Sequence, residues 1–287
     1  MLKYQLSGFA DEISPELDVQ MDVLDSLGIR FIEARRVDGK NLCDYTPEEA
    51  KTVKARLDER GFRLSAIGSP LGKIQITDPF EEHFEKFKTA CDLAELFETP
   101  IIRLFSFYIP KGADPVIYRE EVLRRTEAFV EEARRRGLRL QHENEKGIYG
   151  DTPSRCLDLM QHFYGENYQC TFDPANFVQC GVETYPYGYR LLEPYITYMH
   201  IKDAFLSDGH VTVAGRGDGH VPEILAALSR RGYDGFLSLE PHLHNFVGLS
   251  DLEQGAVEAV SADAGEGARL FAAAAASLKG ILASLES

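Results

Sequence analysis

Hydrophobic residues recur along this chain in two rhythms that take turns. Runs that are short and apolar, or that alternate with period two, read as strands: YQLSGFA from Tyr4, RFIEAR from Arg30, RLSAIGS from Arg63, PIIRLFSF from Pro100, RLQHENE from Arg139, QCTFDPAN from Gln169, ITYMHIKD from Ile196 and GFLSLEPH from Gly235. Between them apolar positions fall three and four apart, the spacing of an amphipathic helix. SPELDVQMDVLDSLG, TPEEAKTVKARLDERG and DPVIYREEVLRRTEAFVEEARRRG open on Ser14, Thr46 or Asp114 followed by proline and end in glycine, which marks their N-caps and stops. Eight strands alternating with helices at intervals of about 26 to 39 residues predict a closed, parallel (β/α)8 TIM barrel, one domain over residues 1–287. An open doubly wound sheet fits less well, because the first turn is not glycine-rich. The alanine-rich AGEGARLFAAAAASLKGILASLE is expected to pack as a last helix on the barrel. The stretch from Asn245 to Asp263 lacks a clear period and reads as a long connection, a lid or a surface loop.

Composition narrows the class. A chain of 287 residues with 44% hydrophobic positions can bury one large core. The 46 acidic residues against 31 basic ones leave a charge of −15, which repels nucleic acid phosphates and anionic lipid. A small neutral or metal-bound substrate fits better, and neither nucleic acid nor membrane is expected as a partner. The cysteines, Cys43, Cys91, Cys156, Cys170 and Cys180, are odd in number, widely spaced and without a CxxC pair. That argues against a disulfide framework or a zinc knuckle and for a reducing, cytoplasmic compartment. The N-terminus meets acidic residues too early for a signal peptide, and no apolar run approaches the ~20 residues of a membrane helix. No apolar stripe specifies an interface, so a homo-oligomer or a partner subunit stays open.

In such a barrel the carboxyl ends of the strands converge on one face. The fifth strand ends in His142, Glu143, Asn144 and Glu145, the sixth in Asp173 and Asn176, the seventh in His200, Lys202 and Asp203, and the eighth in Glu240, His242 and His244. Strand two adds Glu33 and Arg35, and strand four adds Arg103. Burying several carboxylates in one pocket without a counter-ion raises their pKa values and costs several kcal/mol, so a bound cation is the simplest explanation. Glu143, Asp173, His200 and Glu240 make a set of three carboxylates and one imidazole. Such an oxygen-rich set suits one divalent cation, Mn²⁺ first, with Mg²⁺, Co²⁺ and Zn²⁺ as alternatives.

HENEKGIYGDTP, TFDPANFVQCG, YMHIKD and VAGRGDG followed by YDGFLSLEPH resemble the xylose-isomerase-like TIM barrels, the superfamily of sugar and sugar-phosphate isomerases and epimerases (AP endonuclease family 2) that also contains endonuclease IV. The resemblance spans nearly the whole chain, with its motifs in the second half. It implies a single divalent ion on Glu143, Asp173, His200 and Glu240, proton transfer by Glu143 and Glu240 on opposite faces of the substrate carbon, and contact of Lys202 with substrate oxygens. Many relatives carry histidines where this chain has Glu145 and Asn176. These could serve as an added acid/base and an amide reading a hydroxyl, or mark a different substrate. Endonuclease IV uses further histidines on strands two to four, which are lacking here; only the Asp208-x-His210 pair echoes it.

The chemistry expected of this set is proton transfer through an enediolate: removal of the proton next to a carbonyl and its return by a second carboxylate, giving epimerisation or aldose–ketose isomerisation of a sugar or polyol. With a leaving group at the β-position the same intermediate gives a dehydratase or a C-glycoside-cleaving lyase. A noncatalytic ligand-binding barrel is the alternative from another class. Arg103 could clamp a substrate carboxylate or phosphate, or pair with Glu33. Phe105, Phe107, Tyr108 and Phe177 could wall the pocket or fill the core. AGRGDG, from Ala214, could present N–H groups to a phosphate or make a tight turn. His142, opposite in pleat to Glu143, reads as a packed residue. His242 and His244 read as substrate or supporting contacts.

Overall fold

The computed structural model describes residues 3–243 and 265–286. His244 and the connection from Asn245 to Asp263 lie outside the described residues. Eight parallel strands, β1 (Gln5–Gly8), β2 (Phe31–Ala34), β3 (Arg63–Gly68), β4 (Ile101–Leu104), β5 (Arg139–Glu143), β6 (Tyr168–Phe172), β7 (Ile196–Ile201) and β8 (Phe236–Leu239), form one sheet in the order β1-β8-β7-β6-β5-β4-β3-β2. β1 and β2 meet at the remaining seam without a ladder, so the barrel is nearly closed. The eight strands stand where the hydrophobic rhythm places them.

The helices are α1 (Leu17–Ser26), α2 (Pro47–Glu59), α3 (Glu81–Leu96), α4 (Arg119–Arg136), α5 (Pro153–Phe163), α6 (Pro174–Gln179), α7 (Tyr189–Leu192), α8 (Val221–Arg230) and α9 (Glu266–Glu286). Outward strand residues such as Ile32, Ile102, Leu140, Met199 and Leu237 bury against Leu24, Phe87, Phe129 and Leu225 of the helices, which makes this layer the main core. Thr46 caps α2 in a reciprocal capping box with Glu49. Asp114 caps a short 3-10 turn, Pro115–Tyr118, that leads into α4. Ser14 does not cap α1. The chain stays extended through Glu16, and the free N–H of Leu17 is taken by Asp38 Oδ1 at 2.9 Å, a cap supplied from across the β2–α2 connection. The last helix packs Phe271, Leu278 and Leu282 into the core, and its Ser277 hydroxyl donates to Ala214 O (2.8 Å).

Inside the barrel the filling is polar. Ser7 Oγ lies 2.6 Å from Ser65 Oγ, which lies 2.9 Å from the Tyr198 hydroxyl, which donates to Glu33 Oε2 at 2.9 Å. The register between β2 and β3 shifts between Ile32 and Glu33, with Ser65 of β3 left as the extra residue, and such an irregularity re-aims the side chains beside it. The parallel register sets Glu143 level with Thr171 and His200 level with Ser238. With a side-chain period of two, Asp173 and Glu240 follow on the same inner face two residues beyond those partners.

The β3–α3 connection is locked onto the end of β4. Leu71 O accepts from Phe105 N at 2.8 Å, and the neutral ring of buried His83, lowered to about 4 by burial, accepts from Gly72 N at 2.7 Å. Gly72 sits at φ +85°, where a Cβ would come within 2.1 Å of Phe105 O. Gly72→Ala is therefore expected to destabilise the protein by about 2 kcal/mol or more, since positive φ and a backbone clash coincide. Urea denaturation of the variant against wild type checks this.

Candidate metal centre

The four residues proposed as ligands come together. Glu143, Asp173, His200 and Glu240 are all buried, and one ligand atom from each lies within 4.8 Å of the others. His200 Nδ1 is 3.0 Å from Glu143 Oε1, 3.2 Å from Glu240 Oε2 and 3.9 Å from Asp173 Oδ2. Glu143 Oε2, Asp173 Oδ2 and His200 Nδ1 are buried without a hydrogen bond. Each such atom normally costs about 1–3 kcal/mol, more when charged. Asp173 Oδ2 and His200 Nδ1 both face the cluster of hard oxygen donors and an imidazole, where a divalent cation would satisfy them, so the residues fit the expected ion.

Neighbouring groups aim the donors. His200 Nε2 stands 3.1 Å from Glu33 Oε2, which leaves Nδ1 facing the carboxylates. A carboxylate behind a ligating imidazole fixes its tautomer and ring orientation. Asn144 and Asp173 clamp each other: the amide donates to Asp173 O at 2.8 Å and its carbonyl accepts from Asp173 N at 2.9 Å. Asp173 Oδ1 caps α6 by accepting from Asn176 N at 2.9 Å, which turns Oδ2 to the cluster. The Asn176 amide donates to Glu143 Oε1 at 3.2 Å and to Asn144 O at 2.9 Å.

The two glutamates are held in matching ways. Glu143 turns Oε1 to His200 and Oε2 to Arg103 Nε at 3.2 Å; Glu240 turns Oε2 to His200 and Oε1 to Arg35 NH1 at 3.2 Å. The Arg35 and Arg103 guanidinium groups lie over the ring of Phe9, at 4.6 and 5.3 Å, and Phe9 meets the His200 ring edge-on at 5.3 Å. Arg35 also binds Asp11 (2.8 Å) and Glu12 (3.2 Å). Lys202 Nζ bridges Asp173 Oδ2 at 3.0 Å and Glu240 Oε2 at 3.3 Å.

Titration follows from this crowding. Burial raises Asp173 to about 7, with Lys202 opposing and Glu240 and Glu143 adding to the rise. Burial pulls His200 and Lys202 down, yet the carboxylates around each hold both well above their ordinary values. Glu240 is held well below the carboxylate range despite its burial, by Lys202, His242 and His200. Burial also lifts Glu12 to about 8 against the pull of Arg35.

Other expectations divide. Glu145 is turned to Lys73, whose Nζ is 2.8 Å from its Oε2. His242, at φ 45°, donates its N–H to Glu12 Oε2 at 2.7 Å and places Nε2 3.4 Å from Glu240 Oε1. Arg103 reaches Glu33 as well, at 3.7 Å. Phe105 lies beneath Lys73 and Arg103, whereas Phe107 and Phe177 pack in the core on Phe129 and Phe172. His142 is fully buried on the outer side, against the Tyr168 ring at 6.1 Å. Asp208 and His210 are exposed on a hairpin, where Asp208 Oδ1 accepts from the backbone N of His210, a turn contact away from the ligand cluster. The AGRGDG turn spends its N–H groups internally: Gly215 and Gly217 donate to Asp203 Oδ2 (2.9 and 3.0 Å) and Gly219 to Oδ1 (2.8 Å). A Cβ at Gly217 would come within 2.5 Å of Asp203 Oδ1, so the glycine serves close approach to a carboxylate of the chain and the phosphate reading falls. Phe9, Asp11, Glu12 and Lys73 were not singled out. The rule that strand ends face the site, applied to the first and third strands, points to all of them.

Two outcomes follow for the metal. Glu33→Gln keeps an acceptor for His200 but removes its charge, and is expected to weaken Mn²⁺ binding about 10-fold, as calorimetric titration reads it. Because the raised Asp173 carboxyl is protonated below about 7, Mn²⁺ affinity should fall as pH drops through that value, approaching tenfold per pH unit for one competing proton. Proton release on binding, measured in buffers of different ionisation enthalpy, checks the sign.

Comparison with known proteins agrees with the fold. No curated protein sequence matches the chain. Among solved structures, a D-tagatose 3-epimerase-like protein superposes with TM-score 0.73 at 16% identity over 98% of each chain. The probable 3-DHS dehydratase AsbF of Bacillus anthracis gives 0.71 at 18% identity over 97% of this chain and 99% of its own. A xylose isomerase-like TIM barrel protein from Mycobacterium smegmatis in complex with magnesium gives 0.67 at 16% over 98% of each. The family model described as "Xylose isomerase-like TIM barrel" matches residues 21–265. The chain belongs to the xylose isomerase-like TIM barrel family.

Proposed function

We propose that the protein is a divalent-metal-dependent isomerase or epimerase of a sugar or polyol, with Glu143 and Glu240 as the proton-transferring pair and Mn²⁺ as the first choice of ion. The observation that carries this reading is the matched setting of the two glutamates, each with one oxygen at His200 Nδ1 and the other on an arginine. β5 and β8 are separated in the sheet by β6 and β7, so the carboxylates reach the centre from different directions. Glu143, Asp173, His200 and Glu240 would hold the ion, which when bound supplies polarisation of a carbonyl and its neighbouring hydroxyl.

The remaining work falls to the chain. One glutamate takes the proton from the carbon beside the carbonyl and the other returns one to the opposite face, which inverts that carbon; return to the adjacent carbon gives isomerisation. Arg35 and Arg103 hold the outer oxygens and so restrict rotation of both carboxylates. Lys202, between Asp173 and Glu240, is positioned to donate to a substrate oxygen, and Asn176, Glu145 and His242 are the neighbouring polar groups for its hydroxyls. The structural likeness to an epimerase-like protein and to a probable dehydratase supports the class of reaction through its fold. A dehydratase or lyase on the same intermediate is distinguished by product mass.

The Mn²⁺-loaded protein, incubated with ketoses and keto-polyols in D₂O, is expected to place deuterium on the carbon beside the carbonyl with the carbon skeleton unchanged, read by NMR and mass spectrometry. Glu143→Gln should lower kcat by about 10²-fold or more and weaken metal binding; full activity in that variant overturns the reading.

A further inference from the structure

We propose that the site selects an uncharged polyhydroxy substrate, carrying neither phosphate nor carboxylate, and that the Lys73–Glu145 ion pair is the element that enforces this choice. The inference rests on the metal-centred reading above and names the substrate class for it. Its basis is the fate of four cations that, among the described residues, reach the barrel mouth. Arg35 is bound to Asp11, Glu12 and Glu240. Arg103 is bound to Glu143 and donates through NH1 to Ser69 O at 2.9 Å. Lys202 is held between Asp173 and Glu240. Lys73 is 2.8 Å from Glu145, with side-chain exposures of 6% and 11% for the pair, and stands 4.4 Å above the Phe105 ring.

Away from the ion itself, an anionic group that engages one of these four cations takes it from a buried carboxylate. Removing one partner of a buried pair leaves an uncompensated charge, a penalty that the new contact must first recover. The turn that follows the β7 hairpin offers no substitute, because its N–H groups are bound to Asp203. Residues 244–264 contain no lysine or arginine to add. A hydroxyl meets the opposite situation. It can accept from the Lys73 ammonium and donate to the Glu145 carboxylate without separating them, so the pair offers a neutral oxygen both roles at once. A site built to hydrogen-bond hydroxyls discriminates strongly between ligands that satisfy its polar groups and ligands that do not. Lys73 and Glu145 are thus specificity-determining residues, Lys73 on the β3–α3 connection that the Gly72–His83 contact holds and Glu145 on the β5–α5 connection, where its Oε1 accepts from Lys146 N at 2.7 Å.

The test compares D-fructose with D-fructose 6-phosphate on the Mn²⁺-loaded protein by isothermal titration calorimetry; their shared ketose end lets contributions from the metal cancel. Wild type is expected to bind the free ketose at least ~10-fold more tightly than its phosphate. Glu145→Gln releases the charge of Lys73 and should shift the ratio toward the phosphate by ~10-fold or more, a gain that a merely structural role would not produce. Lys73→Met, checked for folding by circular dichroism, should lose affinity for the free ketose without gaining any for the phosphate. Preference of wild type for the phosphate, an unchanged ratio in Glu145→Gln, or heat from neither ligand at millimolar concentration overturns the proposal. Deuterium exchange reads the proposed reaction separately: binding selectivity without exchange defeats the isomerase reading and leaves charge selection standing, whereas exchange with a preference for the phosphate does the reverse.

Discussion

The structure is organised around the need to neutralise carboxylates that have been taken out of water. Glu33, Glu143, Asp173 and Glu240 surround one imidazole, all buried inside a barrel whose strands are covered by helices. Charges so placed are tolerated only when paired and hydrogen-bonded. The chain supplies Arg35, Arg103 and Lys202 against them and still leaves three polar atoms of the cluster without a hydrogen bond. That remainder is what a divalent ion held by the set would satisfy. It also explains the rigidity around it, since every cation that compensates a ligand is itself tied to a second partner.

Phe9 shows how packing and electrostatics are joined here. It follows β1 and presents its ring to Arg35 and to Arg103, while its edge meets His200. An aromatic face accepts cations without demanding hydrogen bonds, so one apolar side chain can sit among several charges at little cost. The result is a nearly mirrored array, arginine, glutamate, histidine, glutamate, arginine, supplied by β4, β5, β7, β8 and the end of β2. The polar column of Ser7, Ser65 and Tyr198 continues it into the barrel and ends on Glu33. From Ser7 to Glu33 the interior is therefore a continuous hydrogen-bonded chain, which polarises its members and holds them in register.

Much of this was legible in the sequence. The alternation of periods two and 3.6 showed all eight strands, because a parallel strand covered on its outer face must be apolar there whatever its neighbours are. Glu143, Asp173, His200 and Glu240 were legible because each follows an apolar run at the carboxyl end, where this architecture gathers its polar groups. Thr46 and Asp114 were legible as caps, since a cap is a local contact. Ser14 misled for the same reason: its sequence context is that of a cap, but the N–H it would have satisfied is taken by Asp38, twenty-odd positions along the chain. The AGRGDG turn misled because its glycines are consistent with either an external or an internal anion, and only the position of Asp203 decides.

The sequence by itself thus determined the barrel, the order of its elements and the four side chains that cluster at its mouth, which depend on periodicity and on the ends of strands and so survive in one dimension. The pairings were decided by the tertiary structure alone. Which carboxylate Arg103 holds, that Lys73 meets Glu145, and that Phe9, Asp11 and Glu12 belong to the site follow from the closure of the sheet, which brings residues tens to hundreds of positions apart within 3 Å or so of each other. Charge compensation is a through-space property, fixed by distance and burial, and neither is written in the spacing of residues along the chain.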